Sequence, residues 1–485
     1  MRMASMEQTL LEKLEAQTKE IKEQRQIIAQ QAQKIEELLA IIAELSGGRK
    51  DSHNSSKRPS SDGYSKKPTP RSLRKASGKK RGGQPGHKGS SMKISQKPDQ
   101  IVQHYPASCE RCPHKGNCET RVCEGRYEID LIVKRNVTLH QQMECHCVMR
   151  SNQAIKGTFP KEITATKQYG KNVTAFVTAL HTVGMVSIDR VRQFMEGVVG
   201  IQMSTGTIKT KLCNLRKSVK PSVKWIKGQV KQLPLLHCDE TGLRVEGFLH
   251  WLHCCCDQNW TYLFIHKNRG KKAMEEMGVL PNYTGILETD CWCAYFQYTD
   301  AGHALCNAHL ARELVYAAEN LGQPWAEELK LFLFEIHQER EMRKCAGETA
   351  FTPTELAEYH ARYDAIVDTG LTQNPVPERP PGKRGRIAKG KIRALLERLV
   401  KHRDDFLHFV RNWAVPFTNN EAERSIRFSK VKQKVSGCFR TEEGAQEYAE
   451  IMSYILTARK HGVTFFDAIH AALNGDALKL VQQWG

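Results

Sequence analysis

Three acidic residues stand in three differently built segments: Asp239 in LPLLHCDETGLRV, Asp290 in GILETDCWCAY and Glu423 in FTNNEAERSIRFSK. The first two lie in strand-like text and the third on a helix, an order that suggests carboxylates gathered around divalent metal. Hard cations such as Mg²⁺ keep several waters and take one or two carboxylates plus substrate phosphates. Three carboxylates therefore fit phosphodiester chemistry better than ion storage, and the expected cofactor is two ions of Mg²⁺ or Mn²⁺ on Asp239, Asp290 and Glu423. Each acid also has an ordinary use: Asp239 as a turn cap, Asp290 as the cap of a following helix, Glu423 as the partner of Arg427 on a solvated face. Their placement in one fold order favours the set over the separate uses.

The elements that must position them follow from 233 onward. Short strands PLLHCDET, LRVEGFLHWLHCCC and WTYLFIH precede helix-like KKAMEEMG, then GILETD, then HALC and a further helix. This β-β-β-α-β-α order predicts a ribonuclease-H-like mixed sheet within a multidomain α/β chain, with Asp239 ending the first strand and Asp290 the fourth. A long helical stretch then runs to about 415, broken by the basic loop NPVPERPPGKRGRIAKGK. It reads as a helical insertion at about 318–412 within a core of 233–435, followed by a helical region at 436–485. Asn420, Glu423 and Arg427 share one helical face at +3 and +4 spacing, which would set an amide, a metal ligand and a phosphate-binding guanidinium together. Arg424 joins them as a candidate support for the site.

Upstream, Leu14, Ile21, Ile28, Ile35 and Ile42 recur every seven residues without Gly or Pro. Residues 1–46 thus read as a coiled-coil helix for self-association, although Gln17, Gln24 and Gln31 weaken the companion seam and leave a lone solvated helix open. Residues 47–100 form a basic arm that cannot bury a core, with fifteen Lys or Arg against three Asp in 49–99. Lys79, Lys80 and Arg81 within it are candidate DNA contacts; a solvated linker fits the composition equally.

Residues 101–160 carry Cys109-x-x-Cys112 and, beyond strand-like text, Cys145-x-Cys147. Paired cysteines on adjacent hairpins would hold structural Zn²⁺ and supply a core that the segment lacks, with inert thiols as the alternative. His114, Cys118 and Cys123 compete as ligands. Residues 161–232 read as helices with a helix-turn-helix-like entry at Ser204, and Lys209 and Lys211 as DNA contacts. A three-helix packing unit is equally consistent.

The formal charge of +20, from 73 Lys and Arg against 53 Asp and Glu, favours nucleic acid as partner. The opening text lacks the apolar stretch of a signal peptide and no run of eighteen apolar residues exists, which argues against a membrane span. Sixteen cysteines, including the triplet 254–256, make an unlikely disulfide framework. Reduced thiols in the cytoplasm of a bacterium, at the nucleoid, are the expectation.

Taken together, SSKRPSSDG and GGQPGHKG in the arm, the Cys pairs, DETGLRV, TDCWCAY, CNAHLAR and NNEAERSIR resemble the transposases of the insertion-sequence-66 family, a DDE class. The likeness runs over nearly the whole chain. It implies that Glu423, not Glu421, is the third carboxylate, because Glu421 takes the variable position of NNxAER. Cys306, His309 and Arg312 match a C-x-x-H-x-x-R element; His309 either steadies the attacked phosphate or packs a helix with Cys306. Two stretches depart from the pattern: Asp290-Cys291-Trp292 where Asp-Gly-Tyr is usual, and VSGCFRTEEGA. The resemblance further implies DNA ends and target as substrates, a homo-oligomer and small accessory proteins. A related nuclease without strand transfer and a decayed DNA-binding protein are the rivals; the presence of all three carboxylates argues against decay.

Overall fold

The computed structural model describes residues 97–105, 121–131, 133–147, 153–376 and 389–485, with single positions at 24, 31, 108 and 113. Two compact units emerge. One holds Lys167–Arg192 and Ser204–Gly485; the other holds the described part of Lys67–Thr166 with Gln193–Met203. Apart from positions 24, 31 and 97–100, the expected coiled coil and the arm, including Lys79, Lys80 and Arg81, lie outside the described residues.

The smaller unit contains β1 (Glu144–Cys147) and β2 (Gln153–Lys156), an antiparallel pair with Cys145 opposite Ile155. Cys145 is exposed. The other expected zinc ligands, Cys109, Cys112 and the side chain of Cys147, lie outside the described residues.

In the larger unit, α1 (Lys171–Thr182) and α3 (Thr205–Val230) precede the sheet, while α2 (Ile188–Gly197) is divided between the two units. Then come β3 (Leu235–Val245), β4 (Phe248–Cys256), β5 (Thr261–His266), α4 (Lys271–Met277), β6 (Ile286–Thr289), β7 (Gly302–Leu305) and α5 (Asn307–Leu321). The five strands lie in the order β5-β4-β3-β6-β7. β3, β4 and β5 are antiparallel, while β6 and β7 run parallel to β3, so the sheet is mixed as a ribonuclease-H-like core requires.

The first strand is longer than expected. It does not end at Asp239 but runs six residues further, through Thr241 and Gly242 to Val245. The turn falls instead at Glu246-Gly247, whose φ values of 53° and 84° suit a two-residue hairpin. What looked like a turn at Asp-Glu-Thr-Gly is strand, because Glu-Gly further on supplies the left-handed pair.

The insertion comprises α6 (Pro324–Cys345), α7 (Pro353–Gln373) and α8 (Gly390–Lys401), followed by the one-turn helices α9 (Arg403–Phe406) and α10 (His408–Arg411). Its apolar faces close around Trp325, Phe332, Tyr363 and Leu396, in a core that continues onto the sheet at Ala304 and Leu305. The chain ends with α11 (Asn420–Ser436), α12 (Glu442–Lys460), α13 (Phe465–Asn474) and α14 (Ala477–Gln482).

Alternation along the strands sends Leu243, Val245, Leu252 and Cys254 to one face, where they pack on Ala422 and Ile426 of α11. Leu236, Cys238, Cys255 and Leu287 face the other way into a core built with α3 and α13. α3 is thus part of this core: Leu215, Val219, Val223 and Ile226 are buried beneath the sheet.

Candidate active site

The two aspartates meet because of register. β3 and β6 pair in parallel, with Leu235 beside Ile286 and His237 beside Glu288. Two residues beyond the last pair on each strand come Asp239 and Asp290, on the same face of the sheet by the two-residue period. Asp239 accepts the Glu240 amide at 2.8 Å, and Asp290 accepts the Trp292 amide at 3.1 Å.

Glu423 arrives in the first turn of α11, where the helix dipole favours negative charge. Burial, and the carboxylates of Glu240, Asp290 and Glu423, push the Asp239 carboxyl up to about 8. Such mutual repulsion is what a bound dication relieves. The three acids are near neighbours but not a closed ligand set. Among the described residues the tight grouping is a different one, Cys306, His309 and Glu423, whose ligand atoms lie within 4.8 Å of one another.

The helix end that delivers Glu423 is fastened by Asn419, a residue that sequence reasoning passed over in favour of its neighbour. Asn419 is 2% exposed. Its Nδ2 donates to the Cys238 carbonyl at 2.7 Å, its Oδ1 accepts from His237 Nδ1 at 2.8 Å, and its amide donates to Cys306 Sγ at 3.2 Å. It therefore ties α11 to β3 beside Asp239 and to the end of β7. Asn420, the expected amide, begins the helix exposed to solvent, and Arg424 and Arg427 are exposed as well. The doubled asparagine was the available signal, and only burial distinguishes the two.

His309 and Arg312, one turn apart on α5, both turn toward Glu423. His309 Nδ1 is 3.6 Å and Arg312 Nη2 3.4 Å from Glu423 Oε1. Burial and Arg312 lower the His309 pKa, so its ring is neutral near pH 7. Glu421 points elsewhere, to Lys460 Nζ at 3.0 Å. A second missed residue is Lys430, seven residues after Glu423 and so on the same helical side. Its Nζ donates to the Gly242 carbonyl at 3.3 Å, and its charge acts on Asp239 while burial lowers its pKa.

The other missed group lies behind Asp239. Glu240 is fully buried at its side chain and accepts from Arg269 Nε at 2.8 Å and from the Tyr295 hydroxyl at 2.5 Å. The Arg269 guanidinium lies between the rings of Trp292, at 4.0 Å, and Trp251, at 4.8 Å. The Asp290-Cys291-Trp292 text thus has a purpose: Trp292 covers the cation that neutralises Glu240. A cleft of about 250 Å³ opens beside Asp290, lined by Arg269, Trp292, Cys306, His309 and Arg398 among others. Arg398 belongs to α8, so the insertion contributes a cation to the cleft; it also holds Glu313 at 2.6 Å.

The remaining candidates are less convergent. Lys209 is exposed near the start of α3. Lys211 is partly buried, donates to the Thr174 hydroxyl at 2.9 Å and lies over the Tyr169 ring.

No curated protein matches the chain. Residues 5–93 match a model for a family of unknown function, DUF6444. Residues 166–447, more than half the chain and all three acids, match the model of the transposase IS66 family. Transposases act on DNA, with cleavage and strand transfer as their general activity, and no helix among the described residues is long and apolar enough to cross a membrane. By that match, the chain belongs to the IS66 family of transposases.

Proposed function

We propose that the protein binds the terminal inverted repeats of an insertion sequence and carries out metal-dependent strand cleavage and strand transfer through Asp239, Asp290 and Glu423. The observation that supports this most is electrostatic. Burial first, and then the nearby charges of Glu240, Asp290 and Glu423, push the Asp239 carboxyl up to about 8. No cation of the protein pairs directly with Asp239 among the described residues, and three acids gathered this way suit hard dications.

Asp239, Asp290 and Glu423 would hold Mg²⁺ or Mn²⁺, which when bound supplies Lewis-acid activation of the attacking and leaving oxygens of the phosphodiester. The chain's own residues do the rest. Asn419 keeps Glu423 in range of the aspartates, and Glu240 with Arg269 and Tyr295 holds β3 rigid behind them. Arg312, Lys430 and Arg398 line the approach as cations for substrate phosphates. His309, neutral, has a ring nitrogen free to contact a phosphate oxygen once Glu423 turns to the aspartates. Arg424, Arg427 and Asn420, exposed on α11, would meet DNA further along the duplex, as would Lys209 and the arm residues Lys79, Lys80 and Arg81. Self-association through the N-terminal heptads, Zn²⁺ on Cys109, Cys112, Cys145 and Cys147, and accessory proteins of the same element belong to the same proposal.

The test is cleavage and joining by purified protein with Mg²⁺, on DNA from both flanks of its own gene. Wild type should cut and join, Glu423→Gln should bind without cutting, and Glu421→Gln should keep cutting within about tenfold. Equal activity of Glu423→Gln and wild type would overturn the assignment. DNA binding with no metal-dependent cleavage by wild type would leave a DNA-binding relic.

A further inference from the structure

Glu423 faces two sets of neighbours. Its charge acts on Asp239, and a thiol and an imidazole lie close to its carboxylate. Cys306 closes β7 and caps α5, and His309, three residues on, returns to the same side of the helix. One ligand atom each from Cys306, His309 and Glu423 lies within 4.8 Å of the other two. The Nδ1 of His309 is buried and has no hydrogen-bond partner, for Glu423 Oε1 at 3.6 Å is too distant. Such an orphaned buried atom requires an explanation. The sulfur is already oriented, since the Asn419 amide donates to it. Both residues line the cleft beside Asp290, which gives an ion a way in.

Thiolate, imidazole and carboxylate together make a donor set for Zn²⁺, with a fourth position open to water. Mg²⁺ prefers oxygen alone and has no use for the sulfur. We propose that Cys306, His309 and Glu423 form a zinc site next to the three-carboxylate site, and that zinc bound there draws Glu423 away from Asp239 and Asp290 and silences strand cleavage. On binding, the Cys306 thiol releases its proton to solvent and its sulfur becomes a ligand. His309 enters through Nδ1 and Glu423 through one oxygen, with no change of oxidation state. Binding stands by itself; the silencing rests on Glu423 being the third carboxylate.

The experiment uses the full chain as wild type, Cys306→Ser and His309→Gln, each checked for fold by circular dichroism. Cobalt(II), the spectroscopic substitute for zinc, is titrated into each. Because other cysteines also take metal, the reading is the difference between variants. Wild type should bind one more equivalent than either variant, with thiolate-to-cobalt absorption in the near ultraviolet that both lose in part or whole. In the Mg²⁺-dependent cleavage assay, with each protein normalised to its own zinc-free rate, the half-inhibitory zinc concentration should rise about tenfold or more in both variants. Identical stoichiometry and spectra in all three proteins would overturn the site. If the extra cobalt binds but zinc inhibits all three alike, the silencing is overturned. If it binds and no protein cleaves DNA, the metal site stands and the reading of Glu423 as a catalytic carboxylate falls. Should Cys306→Ser fail to fold, His309→Gln carries the same comparison.

Discussion

Asn419 and Asn420 are adjacent, chemically identical and differently employed. Asn419→Ala leaves the Cys238 carbonyl and His237 without their buried partner, so it should cost about 1–3 kcal/mol in stability. It should also reduce cleavage while DNA binding survives, since what moves is the start of the Glu423 helix. Asn420→Ala, at an exposed position, should change stability by less than about 0.5 kcal/mol. Thermal unfolding of the two variants beside a binding and cleavage assay checks this; equal effects would show that the clamp does not matter. The three acids stood out in the sequence because each sat in a distinct local pattern, and the charges of Asp290 and Glu423 both act on Asp239. Asn419 did not stand out, since spacing along a helix cannot say which of two neighbours is buried. Lys430 and the pair of Glu240 with Arg269 were missed for a related reason: their importance lies in contacts between segments far apart in the chain.

At the scale of elements, the order of strands and helices was readable from alternation and apolar spacing, and the mixed five-strand sheet fits the expected core. The strand end at Asp239 was not, because Thr-Gly resembles a turn until the positive φ of Glu246 and Gly247 is seen. The insertion depends on one close approach. A Cβ at Gly370 in α7 would lie 2.6 Å from Leu396 and 2.8 Å from Trp325, so α6, α7 and α8 meet there. Gly370→Ala should destabilise the insertion by about 1–3 kcal/mol, measured as a lower unfolding midpoint. An unchanged midpoint would mean that the helices shift apart at no cost.

α11 also carries Lys432, whose buried Nζ has no hydrogen-bond partner and lies 4.3 Å from the Tyr448 ring and 5.4 Å from that of Phe439. Burial lowers its pKa to about 7 from an unfolded value of 10.5. His181 is the other titratable group that senses it, and its own pKa is driven down to about 3 by burial and by Lys432. Between pH 7 and 10.5 the unfolded chain holds a proton on Lys432 that the folded chain does not, so the cost that Lys432 imposes on stability should fade as pH rises across that window. Lys432→Met should flatten this pH dependence and raise the midpoint at pH 7. A slope unchanged in the variant would remove Lys432 as its source.

For the whole molecule, the position of Glu423 in the chain has a consequence in time. Asp239 and Asp290 leave the ribosome together with their sheet, but the third acid follows only after the insertion, roughly 130 residues later. At about 5–20 residues per second, the growing chain spends on the order of ten seconds with two acids and no third. The basic arm at 47–100 emerges well before either aspartate, and on the proposed reading it could settle on nearby DNA while the chemistry is still missing. Chains stalled before Asn419 should therefore retain DNA but leave it unbroken, and nicking by such stalled chains would show that two acids suffice. On the proposed reading, a protein assembled in this order would meet DNA before its set of acids is complete.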